Sequence, residues 1–209
     1  MKGNLKVPPT KSALLALRRQ VAFLQQGHDL LERKRELLTR LVYERLAQYR
    51  KLRKDVRAAL EKAYRWLGIT HMRMGSRMLR QAALGLQPGL SIRILPRSSV
   101  GVEYPSVYAE PLPLQPVGLM LTDTSFDETR IGLIEVAVLL ARLGEAETAL
   151  WRLLAEQRKT QKRVNALKYN IIPRYNNTIR FIESTLEEEE RNTLFQMKVL
   201  RESKTEGVT

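Results

Sequence analysis

Few residues in this chain could do chemistry, and their spacing argues against a reaction. The two histidines, His28 and His71, stand 43 residues apart. On one helix that separation is over ~60 Å at about 1.5 Å per residue, too far to share a metal ion. His28 falls on a helical apolar stripe and reads as a packed or partner-facing side chain, and His71 lies among glycines and methionines. The four acids Glu187–Glu190 are adjacent in sequence. Consecutive residues of a helix point in different directions, so they cannot cage an ion; they read as a solvated face, with Glu187 and Arg191 at ion-pair spacing, or as a docking point for a basic partner. No GxxxxGK[ST] phosphate loop occurs. There are no cysteines, so thiolate chemistry and disulfides are excluded. The expectation is a chain with no catalytic residue, no metal ligand and no cofactor.

What the sequence does carry is charge. Of its 209 residues, 36 are Lys or Arg and 22 are Asp or Glu, a net charge of +14. Residues 1–84 hold 20 of the bases against 6 of the acids, so they carry the whole excess, while residues 85–209 hold 16 of each. A basic segment is suited to an acidic partner. The densest run, YRKLRKDVR over 49–57, contains Arg50, Lys51, Arg53 and Lys54. It reads either as the outer face of a helix pair or as a contact for an acidic protein. Nucleic acid is a poorer fit, because no recognition helix, zinc spacing or aromatic stacking platform accompanies it. The longest aliphatic run, Val136 to Ala141, is far short of the ~20 residues that cross a bilayer. Direct membrane insertion is therefore not expected.

The elements that display these charges are long helices. Residues 11–84 contain no proline, whereas 85–124 contain six of the nine. From Phe126 onward the only proline is Pro173. This divides the chain into an N-terminal helix over 11–84, an insert over 85–124, and a C-terminal helix over 125–203. The first helix is expected to be capped by Thr10 after Pro8 and Pro9. An alternating three–four spacing then runs Leu14, Leu17, Val21, Leu24, His28, Leu31, Arg35, Leu38, Val42, Arg45, Tyr49, Leu52, Val56, Ala59, Ala63, Trp66, Thr70. That is a coiled-coil seam. Gly68, Gly75 and Met72, Met74 and Met78 suggest a bend or a separate short helix ending near Gly85; the methionines either line a docking surface or fill a small helical end. In the insert, 90–95 and 99–104 alternate like strands, with a turn at Pro96–Ser98 and an irregular return over 105–116. Leu90, Ile92 and Ile94 share one face, and Val100, Val102 and Tyr104 share another. Ser125 and Glu128 have capping-box spacing for the second helix. Its seam runs Leu143, Ala146, Leu150, Leu153, Gln157, Thr160, Val164, Leu167, Ile171. It then slips by about one residue to Tyr175, Ile179, Ile182 and Leu186. Pro173 sits at that slip, where a bend is tolerable. The fold expected is mainly α: a long, antiparallel, left-handed two-helix coiled coil with a small β-hairpin insert near one end.

Two stretches resemble a known family. Arg163, Val164, Asn165, Ala166 and Leu167, followed by Ile172 and Pro173, an acidic cluster and a basic tail, resemble the signature region of the D subunit of the V-type and A-type rotary ATPases. Pro9 and Thr10, with Gly27, Leu30, Leu31, Arg33 and Arg35, are similar to that family's N-terminal region. The resemblance implies a non-catalytic central-stalk rotor component. Such a component transmits torque between the ATP-hydrolysing or ATP-synthesising ring and the ion-translocating membrane rotor. The implied partners are the alternating catalytic (A) and regulatory (B) members of the ring, the small F subunit of the central stalk, and the C/d socket that joins the membrane rotor. The implied location is cytoplasmic, peripheral on the inner face of the membrane. Pro173 and the cluster Arg50, Lys51, Arg53 and Lys54 are the rotor-surface candidates. The competing readings are a free-standing coiled-coil scaffold and a basic nucleic-acid-binding protein.

Overall fold

The computed structural model describes residues 5–117 and 122–206; residues 118–121 of the expected insert lie outside the described residues. The described residues form α1 (Lys11–Leu84), β1 (Leu90–Ser99), β2 (Val102–Pro111), α2 (Thr124–Ala166), a π-helical turn (Leu167–Ile171) and α3 (Ile172–Glu206), with β1 and β2 paired as a hairpin. The residues form two compact units, one of Met1–Glu36 with Arg158–Thr209 and one of Leu37–Gln157.

The first unit is an antiparallel helix pair. Thr10 caps α1 as expected: its Oγ1 accepts the Ala13 N–H at 3.2 Å, and its carbonyl accepts from Leu14 N–H at 3.0 Å. Contacts then climb one helix and descend the other, through Lys11–Glu190 (2.7 Å), Arg18–Glu183 (2.6 Å) and Arg35 Nη1–Gln161 Oε1 (3.3 Å). Leu17, Val21, Thr160, Val164, Thr178 and Ile182 are buried between them. Thr178 is a polar group in this seam. Its hydroxyl lies 2.9 Å from Arg174 O and accepts the Leu5 N–H at 3.0 Å, so its burial leaves nothing unpaired.

The sequence slip has a physical cause here. Between α2 and α3 the Ile172 N–H donates to Leu167 O, five residues back instead of four. A π-turn holds one extra residue, which advances every later seam position by one. It also opens the turn in front of Pro173, whose ring would otherwise strike the carbonyl four residues back.

The second unit is also an antiparallel helix pair, with the hairpin laid against it. Arg73 pairs with Asp123, Thr70 with Thr129, Ala63 faces Gly132, and Leu38 packs with Leu153 and Val102. Every expected seam position in both units is buried or half-buried. Where the seam residue is cationic, the stem is covered and the head finds a partner. Arg35 pairs with Glu32, and Arg45 reaches the Tyr104 hydroxyl at 3.2 Å with its guanidinium over the ring.

Three local expectations are corrected. The bend falls at Gly75 alone, at φ 76°, ψ 159°, while Gly68 stays helical. That backbone region is open essentially only to glycine, so Gly75→Ala is expected to cost about 1–3 kcal/mol, read from the midpoint of urea unfolding. The hairpin turn is Val100–Gly101, both at positive φ, not Pro96–Ser98. The strands therefore run longer than the alternation suggested, and β2 continues through the residues expected to be an irregular return. They can do so because Pro96 pairs with Pro105. At that pair neither residue has an N–H to offer the ladder, so none is lost. At the start of α2, Asp123 does the capping. Its carboxylate accepts the Thr124 N–H and the Ser125 hydroxyl, and its carbonyl accepts Phe126 N–H. Ser125 faces inward, where its carbonyl lies 2.8 Å from both the Thr70 and Thr129 hydroxyls.

Candidate functional site

The surfaces that could meet partners follow from which residues the seams leave outside. Among the described residues no group of three or more His, Cys, Asp or Glu could hold a metal ion, and no helix is long and apolar enough to cross a membrane. His28 Nδ1 is 3.2 Å from Asp29 and its Nε2 is 3.8 Å from Glu32, one turn along the same helix.

The family-motif residues fall into the first unit. Pro9 and Thr10 open α1, and Gly27 lies half-buried in mid-helix with open space beyond its Cα. Of the run 163–167, Val164 is in the seam, Leu167 is half-buried at the start of the π-turn, and Arg163, Asn165 and Ala166 face solvent. Asn165 accepts a hydrogen bond from Gln161 at 2.8 Å. Pro173 is half-buried just past the π-turn. This unit also exposes large apolar side chains off the seam: Leu15, Phe23 and Leu30 on α1, and Phe181, Leu194, Phe195 and Leu200 on α3. Such a density of uncovered apolar groups marks a contact surface.

The basic candidates lie in the second unit. Arg50, Lys51, Arg53 and Lys54 are all exposed on α1. Lys51 borders a hollow of about 370 Å³ between α1 and α2, which Arg45, Leu52, Asp55, Arg142 and Glu145 also line. The motif residues and the basic cluster are thus parts of separate units. Met72 and Met78 face solvent at the far end of α1, and Met74 is half-buried.

Sequence reasoning missed the clamps that hold the hairpin. Glu145 Oε2 accepts the Val107 N–H at 2.9 Å, Arg152 donates to Glu103 O at 2.8 Å, and Gly89 sits so near Ile134 that a Cβ there would come within 2.6 Å. These pair a side chain with distant backbone, and no spacing rule signals that.

Two surface ion pairs carry a pH dependence. The Lys11 ammonium, hydrogen-bonded to Glu190, holds that carboxyl below its ordinary value of 4.5 and is itself raised above 10.5. The Arg73 guanidinium and the Ser125 hydroxyl hold Asp123 below 3.8. A carboxyl whose folded value is depressed adds stability above its unfolded value, and loses it as pH falls through the folded one. The urea midpoint is therefore expected to fall on acidification below about pH 4.5. Asp123→Asn should lower the midpoint at neutral pH and flatten its fall at the acid end.

Comparison with known proteins adds the last observation. The family profile for the ATP synthase D subunit matches residues 13–202. The chain is 35% identical to the V-type ATP synthase D subunit of Thermotoga neapolitana over 199 residues, covering 95% of this chain and 98% of that one. It is 34% identical to the A-type ATP synthase D subunit of Pyrococcus furiosus, covering 94% of each, and 33% identical to that of Methanosphaera stadtmanae, again covering 94% of each. The seams, the hairpin and the motif residues described above all lie within or beside the matched span, and this chain belongs to the ATP synthase D-subunit family of V-type and A-type complexes.

Proposed function

We propose that this chain is the central-stalk rotor of a V/A-type ATPase, carrying torque between the nucleotide-processing ring and the ion-translocating membrane rotor. The observation that supports it is the family match along nearly the whole chain, on a molecule whose two units are each a seamed helix pair. A rotor needs resistance to twist and a surface that differs from side to side. The buried seam within each unit supplies the first. The second comes from the hairpin on one unit and the uncovered apolar groups of the other. No chemistry is asked of the chain itself.

In this reading the first unit, with the apolar residues around Phe195, enters the ring of A and B subunits. The end of α1 around Met72 and Met78 meets the C/d socket, and the F subunit binds along the stalk. On the same reading the chain is cytoplasmic, peripheral on the inner face of the membrane.

The test exploits the lack of native cysteine. A single cysteine introduced at Leu84, exposed at the end of α1, is biotinylated and tethered to a bead on a ring reconstituted with this chain. ATP-driven rotation of the bead is the expected result. ATP turnover by the ring with a stationary bead would overturn the reading.

The basic cluster is assigned to acidic groups of the stator ring. Exposed pairs contribute ~0.2–1 kcal/mol each. Changing Arg50, Lys51, Arg53 and Lys54 together to glutamine is therefore expected to weaken assembly with the ring about tenfold at low salt. The effect should fade at about 0.5 M salt, where screening acts over only a few ångströms. Co-elution of the ring with the quadruple variant measures it.

A further inference from the structure

The two long edges of the hairpin are treated differently by the rest of the molecule. In an antiparallel pair, alternate residues turn their N–H and C=O groups away from the partner strand. The Pro96–Pro105 pair cannot be hydrogen-bonded, which fixes the phase: residues 90, 92, 94, 96 and 98 of β1 face outward, as do 103, 105, 107, 109 and 111 of β2. The side-chain contacts agree, since the Val107 N–H goes out to Glu145 and Glu103 O out to Arg152. The outer edge of β2 is thus closed by α2 at Val107 and Glu103, and by the absence of an N–H at Pro105 and Pro111.

The outer edge of β1 has no such clamp, and it lacks an N–H only at Pro96. Leu90, Ile92 and Ile94 present outward backbone groups with no partner among the described residues. Ile92 and Ile94 are also 49% and 65% exposed. Edges are normally guarded by charge or proline. Here the proline is Pro96 and the charges are Arg93 and Arg97, all of one sign, which leaves the backbone of Leu90–Leu95, about 20 Å of strand, as a template for a partner of the opposite charge. Beside Ile94 and Pro96 lies a shallow hollow of about 250 Å³ bordered by Glu103, Pro105 and Arg152.

We propose that the outer edge of β1 is a strand-addition site for an extended segment of a partner protein in which apolar and acidic residues alternate. Main-chain bonds to Leu90, Ile92 and Ile94 give affinity, and side chains give selectivity. Neighbours of Ile92 and Ile94 on the incoming strand share their face and are apolar, whereas the neighbour of Arg93 lies on the other face. β1 carries Arg93 and Arg97 and no acid. Arg93 reaches Glu110 only through an exposed contact at 3.3 Å, so an incoming carboxylate can share it. The same charges disfavour a second copy of this chain, which would set arginine against arginine between two molecules of net charge +14. This inference concerns the hairpin edge and does not rest on the rotor reading.

The probe is an acetylated, amidated hexapeptide alternating valine and glutamate, added to the full chain. A peptide of the same six residues in block order serves as the charge control. Amide exchange of Ile92 and Ile94 is expected to slow at least tenfold with the alternating peptide. Arg93 and Leu95, already in the inner ladder, should change less than twofold, and the block peptide should do nothing. Ile92→Pro removes one outward donor without touching the ladder, as Pro96 already does, and is expected to weaken binding at least tenfold. Arg93→Glu, which leaves the backbone unaltered, should weaken it to a similar degree. Unchanged exchange at Ile92 and Ile94 with millimolar peptide would overturn the proposal, and so would equal slowing by the block peptide. Slow exchange there without any peptide, with a doubled molecular mass, would assign the edge to a second copy and overturn it as well.

Discussion

Replacing Leu38 with alanine is expected to lower the stability of the chain by about 2–5 kcal/mol, the range for removing a fully buried aliphatic side chain. Leu38 is 0% exposed and packs on Leu153 of α2 and Val102 of β2, with Val42 alongside. Three separate elements meet on that one side chain, so the vacated space cannot be closed by moving one of them. The neighbouring Leu37 is the control. It is 55% exposed, and Leu37→Ala should change stability by less than about 0.5 kcal/mol. Urea unfolding of the two variants reads the difference. A second readout separates the hairpin from the helices. Val102 loses its floor in Leu38→Ala, so the inner-ladder amides near the turn, at Ser99 and Val102, should exchange faster while the helix amides around Val56 keep their protection. Equal costs for the two leucines would mean that the seam does not pass through Leu38.

The contrast between those leucines also shows what a sequence displays and what it withholds. The seam was legible because burial repeats with a fixed period, and a period survives a few polar interruptions. His28, Arg35 and Arg45 stand on the stripe and remain half-covered, since a long side chain can bury its stem and keep its head in a polar contact. The Thr10 cap was legible because the signal is local, a hydroxyl three residues before the amide it accepts. The motif residues of 163–173 pointed to the family, and the period also placed Val164, Leu167 and Ile171 on the seam, where they are buried or half-buried.

Long-range partners were not legible in this way. Val100–Gly101 makes the hairpin turn although Pro96–Ser98 has the stronger turn chemistry. The register of two ten-residue strands and their clamps to Glu145 and Arg152 decide the matter, and these lie far off in sequence. Alternation in β1 puts Leu90, Ile92 and Ile94 on one face, and the helices cover the other, which carries Val102 and Tyr104. An alternating pattern states that two faces differ without stating which one meets the core. Asp123 displaced Ser125 as the cap for a related reason: Arg73, fifty residues earlier in the chain, is there to share its carboxylate.

The π-turn before Pro173 joins both kinds of signal, and it makes the second large prediction. Sequence showed a seam slipping by one residue beside a proline; structure supplies a turn with one residue too many. If that turn is what accommodates the ring, Pro173→Ala should gain less than about 1 kcal/mol, since no clash remains to relieve, where freeing an interior α-helical proline would return ~3 kcal/mol. Deleting Asn170 should do the opposite. It returns Tyr175, Ile179 and Ile182 to the phase set by Val164 and Leu167, displacing only Ile171 by one residue, but it leaves the proline inside an uninterrupted α-helix. A loss of about 3 kcal/mol is expected, and Pro173→Ala in the same deleted chain should recover most of it. Urea unfolding of the four chains forms a double-mutant cycle whose coupling measures the accommodation directly. A deleted chain as stable as its parent would show that the extra residue and the proline are independent. A coupling near ~3 kcal/mol would instead make the inserted residue the means by which a long helix carries a proline without losing the phase of its seam.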